Sequence, residues 1–156
     1  MSDFRTNAST TINPEFSHEI IAALDVEHSD SVTVVGLSQV GLLIELCRVG
    51  VKNAACRAPA PLVCGTDGPA TVVLAPALGS ETELRQILAG LARALCPGGT
   101  LAIRVSRPLP FSRLSHWRSI LRDHGYALRD STKELSDGST LMFARKRLEA
   151  VVAKAA

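Results

Sequence analysis

Aromatic residues are scarce in this chain of 156 residues, where Phe, Tyr and Trp together make up 4%. Proteins that hold single-stranded nucleic acid rely on aromatic stacking, so this scarcity argues against a nucleic-acid partner. The chain also shows little charge imbalance, with a formal net charge of +2 at pH 7. Its overall charge therefore demands neither a polyanion nor an acidic membrane surface.

Long apolar runs are missing too, and none approaches the ~20 residues that a membrane-spanning helix needs. Residues 1–12 contain no apolar core of the kind that signal peptides have. The four cysteines form no CxxC pair and the four histidines lack ligand spacing, which argues against a metal site or a disulfide framework. We therefore expect a cytoplasmic protein without a membrane partner, in which most cysteines are reduced and buried: Cys47, Cys56, Cys64 and Cys96.

Helix and strand signals alternate along the chain. Asn13 followed by Pro14 predicts a helix that runs to about residue 28. The β-branched run at 31–36 predicts a buried strand, and an apolar helix is predicted over 39–49. The same reasoning predicts strands at 53–57, 70–75, 100–106, 126–134 and 139–147, a helix after a capping box formed by Ser80 and Glu83, and a helix after Ser112.

This order predicts an α/β fold, with a Rossmann-like, mostly parallel sheet covered by helices on both faces. Asp137-Gly138 lies between the last two strands and predicts a C-terminal antiparallel hairpin. We expect one domain over residues 13–147, a flexible tail at 1–12, and a tail or short helix at 148–156.

The turn after the first strand is the main candidate site. In open α/β sheets, ligands lie at the carboxyl ends of the strands, and glycine lets the backbone approach them closely. Gly36 and Gly41 meet that requirement, whereas Ser38 adds a Cβ and a hydroxyl that can form a hydrogen bond. The alternative is that the two glycines serve only tight packing between strand and helix.

Three segments carry a resemblance to a known family: "ELRQILAGLARALCPGGTLAIRVS", "WRSILRDHGYALRD" and "STLMFARKR". Together they look like the later helices, the proline-glycine turn and the closing hairpin of class I S-adenosylmethionine-dependent methyltransferases. The resemblance covers most of residues 14–147. It implies that S-adenosylmethionine lies against Gly36, Leu37, Ser38 and Gly41, and that Asp67 matches a residue near the adenine. Asp67 is also a typical turn residue beside Gly68, which needs no ligand.

Three features depart from the family's pattern. Arg57 stands where the family usually places an acid that binds the ribose hydroxyls. An arginine there would better suit a ribose phosphate such as that of NADP, and the alternative is that its side chain simply faces solvent. Between Arg57 and Ala70 lie twelve residues, enough for one parallel crossover and too few for two. Residues 75–77 read Ala-Pro-Ala, where nucleic-acid and protein methyltransferases often place a polar motif.

Three functions therefore stay open. The chain could transfer methyl groups from S-adenosylmethionine to a small molecule or a partner protein. It could be a non-catalytic scaffold that has lost its cofactor and contacts a protein, including a second copy in a homo-oligomer. It could bind another nucleotide such as NADP through Arg57. His116 is the one candidate base for such a reaction. A group of basic residues forms either a phosphate-binding strip or a solvated face: Arg113, Arg118, Arg122, Arg145, Lys146 and Arg147.

Overall fold

A computed structural model describes residues 14–36, 40–57, 68–105 and 111–148. These ranges contain four helices and six strands in the predicted alternation. The helices are α1 (Pro14–Leu24), α2 (Val40–Arg48), α3 (Glu81–Ala94) and α4 (Phe111–Asp123). The strands are β1 (Ser31–Val35), β2 (Asn53–Arg57), β3 (Ala70–Leu78), β4 (Leu95–Val105), β5 (Tyr126–Glu134) and β6 (Thr140–Lys146).

The six described strands form one sheet in the order β2-β1-β3-β4-β6-β5. The first four strands of the chain are mutually parallel, and β1 lies between β2 and β3, with Val34 level with Cys56 on one side and Leu74 on the other. The last strand, β6, inserts between β4 and β5 and is antiparallel to both. The predicted Rossmann-like α/β fold with a closing antiparallel hairpin is therefore confirmed.

Apolar side chains cover the two faces of the sheet separately. One face buries the predicted stripe of α3 and the inner side of α4, where Leu91, Trp117 and Leu121 are at most 2% exposed. The other face packs under α1 and α2 through Ile20, Leu42 and Leu46. Within the described ranges, the helices are too short and too polar to cross a membrane.

The helix α1 ends at Leu24, about four residues before its predicted end. Asp25 follows it with a φ of +50°, in the left-handed region that stops an α-helix. Strand β3 instead runs three residues beyond its predicted end and also includes Pro76, Ala77 and Leu78. Its register against β4 shifts between Leu74 and Ala77, and such an irregularity tolerates a proline that cannot donate a ladder hydrogen bond.

Strand β4 begins at Leu95, directly after α3, and contains the turn that was predicted to precede it. Ala70 of β3 pairs with Leu95 of β4, and Val72, two residues later, pairs with Thr100, five residues later. Strand β4 therefore carries three extra residues between these two pairs. Gly99 lies in that bulge, where a Cβ would come within 2.6 Å of Leu95 Cδ1 and 2.8 Å of the Cys96 carbonyl oxygen. The bulge therefore needs glycine at this position because of space.

Both ends of α3 are capped by side chains. The Ser80 hydroxyl accepts a hydrogen bond from the Glu83 amide at 3.2 Å, as the capping box predicts. In a capping box, the Glu83 carboxylate would accept a hydrogen bond from the amide of Ser80. Here it accepts instead from the amide of Gly79, one residue earlier, at 3.5 Å. At the other end, Lys146 Nζ donates to the carbonyl oxygens of Ala92 and Leu95 at 2.9 and 2.8 Å, which binds β6 to the negative end of the helix.

The expectation of mostly buried cysteines is wrong for the residues that the structure describes. Cys47 is exposed, and Cys56 and Cys96 are half-buried; none of the three is in a disulfide. The described residues also hold no cluster of metal-ligating side chains. Cys64, the predicted tail at 1–12 and residues 149–156 lie outside the described ranges.

Candidate functional site

The strand order of the sheet reverses at β1. The chain passes from β1 to β2 on one side and then returns past β1 to β3 on the other. A reversal of this kind opens a crevice at the carboxyl ends of the strands, which is where ligands lie in open α/β sheets. The turn that follows β1 is therefore the best-placed candidate site.

Gly36 is the first residue of that turn. It is buried and has a φ of +133°, a conformation that residues with a Cβ rarely adopt. Its amide donates a hydrogen bond of 2.8 Å to the carbonyl oxygen of Arg57, at the end of β2. The glycine at this position thus serves the turn itself, which aligns the ends of the two strands.

The other candidate cofactor residues are only partly described. Gly41 is half-buried and is the second residue of α2, so it lies at the positive end of that helix, where anionic groups bind favourably. Leu37, Ser38 and Asp67 lie outside the described residues, and their part in the site stays a prediction.

Arg57 ends β2, as the sequence predicts, and its side chain is half-buried. It lines a cavity of about 140 Å³ together with Ser31, Thr33, Asn53 and other residues of β1 and β2. In β1, the side chains of Ser31 and Thr33 alternate with those of Val32 and Val34, which pack under α1 and α2. The cavity therefore extends along the opposite face of β1 and β2.

His116, the candidate base, is exposed on α4. Its Nε2 lies 2.8 Å from Oε2 of Glu81, the first residue of α3. Arg85 holds the other oxygen of that carboxylate at 2.9 to 3.0 Å, and its hydrogen bond, aided by His116, lowers the pKa of Glu81 below its usual value. His116 thus takes part in a surface contact between two helices.

The basic residues do not form one strip. Arg113, Arg118 and Arg122 are exposed along α4, whereas Arg145 donates to the carbonyl oxygen of Gly98 and Lys146 caps α3. The latter two side chains serve contacts within the fold. The alternative of a solvated polar face therefore describes the α4 arginines better than a phosphate-binding strip does.

Sequence reasoning missed a polar network at the carboxyl end of β4. Arg104 donates to Asp137 and, at 3.2 Å, to the Ser139 hydroxyl, so it holds the turn between β5 and β6. Glu19 of α1 accepts hydrogen bonds from the amide and hydroxyl of Ser136 at 2.9 and 2.6 Å. In the sequence, Asp137-Gly138 predicted the turn between the last two strands. Nothing in the sequence predicted that Arg104 and Glu19 would hold this turn through hydrogen bonds.

Comparison with known proteins gives the fold and no family assignment by sequence. No protein-family model matches the chain, and no curated protein matches it. Solved structures match it well: the glycopeptide N-methyltransferase MtfA, complexed with (S)-adenosyl-L-methionine, has a TM-score of 0.64 at 10% identity, over 88% of this chain and 95% of that one.

Two further structures are comparably similar. A putative methyltransferase in complex with the Trm112 methyltransferase activator of Haloferax volcanii matches with a TM-score of 0.61 and 14% identity, over 86% of this chain and 90% of that one. A putative hemolysin from Streptococcus thermophilus matches with a TM-score of 0.63 and 16% identity, over 86% of this chain and 66% of that one, so the chain spans just under two thirds of that protein. The fold is thus that of class I S-adenosylmethionine-dependent methyltransferases, as the sequence resemblance implied.

Proposed function

We propose that the chain binds S-adenosylmethionine at the carboxyl ends of β1 and β2 and acts as a methyltransferase on a small molecule or a partner protein. The observation that carries this proposal is Gly36, a buried glycine with a φ of +133° that ends β1 where the strand order reverses. Gly36 and Gly41, with Leu37 and Ser38 between them, would line the cofactor, and Asp67 would lie beside its adenine.

The residues of this turn suit the cofactor's chemistry. The cofactor brings an activated methyl group on a sulfonium, so the chain's own residues need only bind it and orient the acceptor. The positive end of α2 favours a carboxylate close to Gly41, and the sharp turn at Gly36 lets the backbone approach a ligand. The neighbour bound to S-adenosylmethionine supports the cofactor's identity through its fold.

A scaffold without catalysis is the second candidate, and Arg57 favours it. The end of β2 carries a guanidinium in place of the acid that would accept hydrogen bonds from the ribose. The same residue leaves room for NADP as the ligand, since a guanidinium binds a ribose phosphate. If the cofactor is lost, a protein partner is the expected ligand; one similar structure is itself a complex with an activator protein.

Isothermal titration calorimetry of the whole chain tests these alternatives with S-adenosylmethionine, S-adenosylhomocysteine and NADPH. We expect the first two to bind, and we expect the bulky side chain of Ser38→Trp to abolish binding. Gly36→Ala should also weaken it, whereas Gly125→Ala, at a positive-φ glycine between α4 and β5, should not.

Binding of NADPH alone, lost in Arg57→Ala, would replace the methyltransferase proposal with the nucleotide alternative. Binding of none of the three ligands by a folded chain would leave the scaffold. A ligand at a hundred times its dissociation constant stabilises a native protein by about 2.7 kcal/mol, so thermal unfolding checks the calorimetry independently.

A further inference from the structure

A second cavity lies at the opposite, amino-terminal edge of the parallel strands. It has a volume of about 300 Å³ and is lined entirely by described residues, from the end of α1, the beginnings of β3 and β4, and from β5 and β6. Leu24, Val72 and Phe143 provide the apolar part of its lining. Its size is at the lower end of the range of small-molecule sites, about 300 to 1,000 Å³.

Asp25 on the wall of this cavity is unfavourably placed for the fold itself. It follows the last residue of α1 with a φ of +50°, and among the described residues it alone adopts a positive φ without being glycine. The carboxyl end of a helix carries partial negative charge, so a carboxylate there is destabilising. The last turn of α1 contains no basic residue that would offset it.

The Asp25 carboxylate makes no hydrogen bond or ion pair with any described residue. Glycine or asparagine would give the same left-handed turn without the charge. The fold therefore keeps a negative charge beside the helix end although its own contacts do not use it. Asp25 is exposed to solvent, and the cationic group of a ligand would complement both its carboxylate and the negative end of the helix.

Asp30 places a second carboxylate on the same wall. Its two oxygens accept hydrogen bonds from the amide of Glu27 at 2.8 Å and from the hydroxyl of Thr71 at 3.0 Å. The Thr71 hydroxyl in turn accepts from the amide of Ser31 at 2.8 Å, so this acid is fixed to β1 and β3. The wall therefore combines one fixed and one unpaired negative charge.

Arg129 of β5 is the cation in the lining of the cavity. It is exposed, and its guanidinium makes no hydrogen bond or ion pair with the residues that the structure describes. Arginine binds carboxylates through paired hydrogen bonds, so it would complement a ligand's anionic group. The cavity thus presents carboxylates, a guanidinium and an apolar surface to one small volume.

We propose that this cavity binds a small zwitterion of the amino-acid type. Its ammonium group would contact Asp25 and Asp30, its carboxylate would contact Arg129, and a short apolar body would lie against Leu24 and Phe143. The proposal is independent of methyl transfer, because the cavity lies at the opposite edge of the sheet from Gly36. Methyl-transfer activity and this binding site can therefore fail separately.

Calorimetry on the full chain with three matched probes tests the proposal: L-leucine, isopentylamine, which lacks the carboxylate, and 4-methylpentanoate, which lacks the ammonium group. We expect L-leucine to bind most tightly and the amine to bind next. Asp25→Asn keeps the turn and removes the charge, so it should weaken L-leucine about tenfold or more. Arg129→Gln should weaken L-leucine and leave the amine unchanged.

Asp123→Asn and Arg122→Gln are the matched controls. Asp123 is the last residue of α4 and Arg122 is exposed beside it, so they change the same charges outside the cavity. Neither should alter binding of any probe. Failure of all three probes to bind at about 10 mM, a very weak affinity, would overturn the proposal. Equal binding by the wild type and the two cavity variants would overturn it as well.

Discussion

The amide of Gly36 donates a hydrogen bond of 2.8 Å to the carbonyl oxygen of Arg57. This bond continues the pairing of β1 with β2 one residue beyond Val35 and Arg57, the last pair in register. The bond uses the backbone carbonyl of Arg57 and not its side chain. Changes to the side chain of Arg57 and to the backbone of Gly36 can therefore be separated experimentally.

Gly36→Ala should lower the free energy of unfolding by about 1–3 kcal/mol, because alanine is strained at a φ of +133°. Urea unfolding measures this change. Gly125→Ala is the control, since Gly125 has a φ of +87° and open space where a Cβ would stand; its cost should be smaller, about 1 kcal/mol. Equal losses in the two variants would contradict the special strain assigned to Gly36.

Gly99→Ala should destabilise the protein by about 1–3 kcal/mol through overpacking. The added Cβ would lie 2.8 Å from the carbonyl oxygen of Cys96 and 3.0 Å from that of Thr71, and backbone atoms cannot easily move away. Gly79→Ala meets no atom within 4 Å and should stay within about 0.5 kcal/mol of the wild type. A stable Gly99→Ala protein would show that the bulge in β4 can rearrange.

Tyr126 should make the protein less stable in strong alkali. Burial raises the pKa of its phenol from 10.0 to about 12, so the folded state keeps a proton that the unfolded state loses. Stability is therefore unaffected by this ionisation below pH 10.0 and falls as the pH rises from 10.0 towards 12. Spectrophotometric titration of the single tyrosine, with urea unfolding at each pH, measures both effects.

Tyr126→Phe should remove that alkaline loss and raise stability by about 1 kcal/mol at neutral pH. The phenol oxygen is buried and has no hydrogen-bond partner among the described residues, so its removal relieves a desolvated polar group. A variant less stable than the wild type would indicate that the hydroxyl forms a hydrogen bond after all.

Asp137 should contribute to stability at neutral pH and lose its contribution in acid. Desolvation opposes ionisation, but hydrogen bonds from Ser139 and Arg104 outweigh it and hold the pKa of Asp137 below its ordinary value of 3.8. A lowered pKa gives stability that is present above pH 3.8 and is lost as the pH falls below it. Asp137→Asn should flatten the dependence on pH in that window, as measured by unfolding at a series of acid pH values.

The order of helices and strands was predictable because its signals are local. Apolar periodicity identified the stripe of α3, Pro14 identified the start of α1, and Asp137-Gly138 identified the hairpin. The boundaries of β3 and β4 were not predictable in this way. Pro76 and the turn before Thr100 have poor strand propensity, and they lie at the two register shifts between β3 and β4, beyond which the pairing resumes at Ala77 and at Thr100.

The candidate site was predictable only where backbone geometry dictates the residue. Gly36 carries such a signal, since its turn demands glycine, whereas the roles of Leu37, Ser38 and Asp67 stay predictions. Asp25 and Arg129 carried no signal, because they line the same cavity only after α1 and β5 are folded onto the sheet. Lys146 likewise looked like part of a basic strip and caps α3 only through long-range packing.

The insertion of β6 between β4 and β5 sets an order of events during synthesis. Until residues 140–146 have left the ribosome, β4 has no partner on one side, and β5 has no strand through which to join the sheet. A nascent chain stalled before this point would expose the long edge of β4 to other chains, which promotes aggregation. Chaperone demand should therefore depend on how quickly translation passes from β5 to β6.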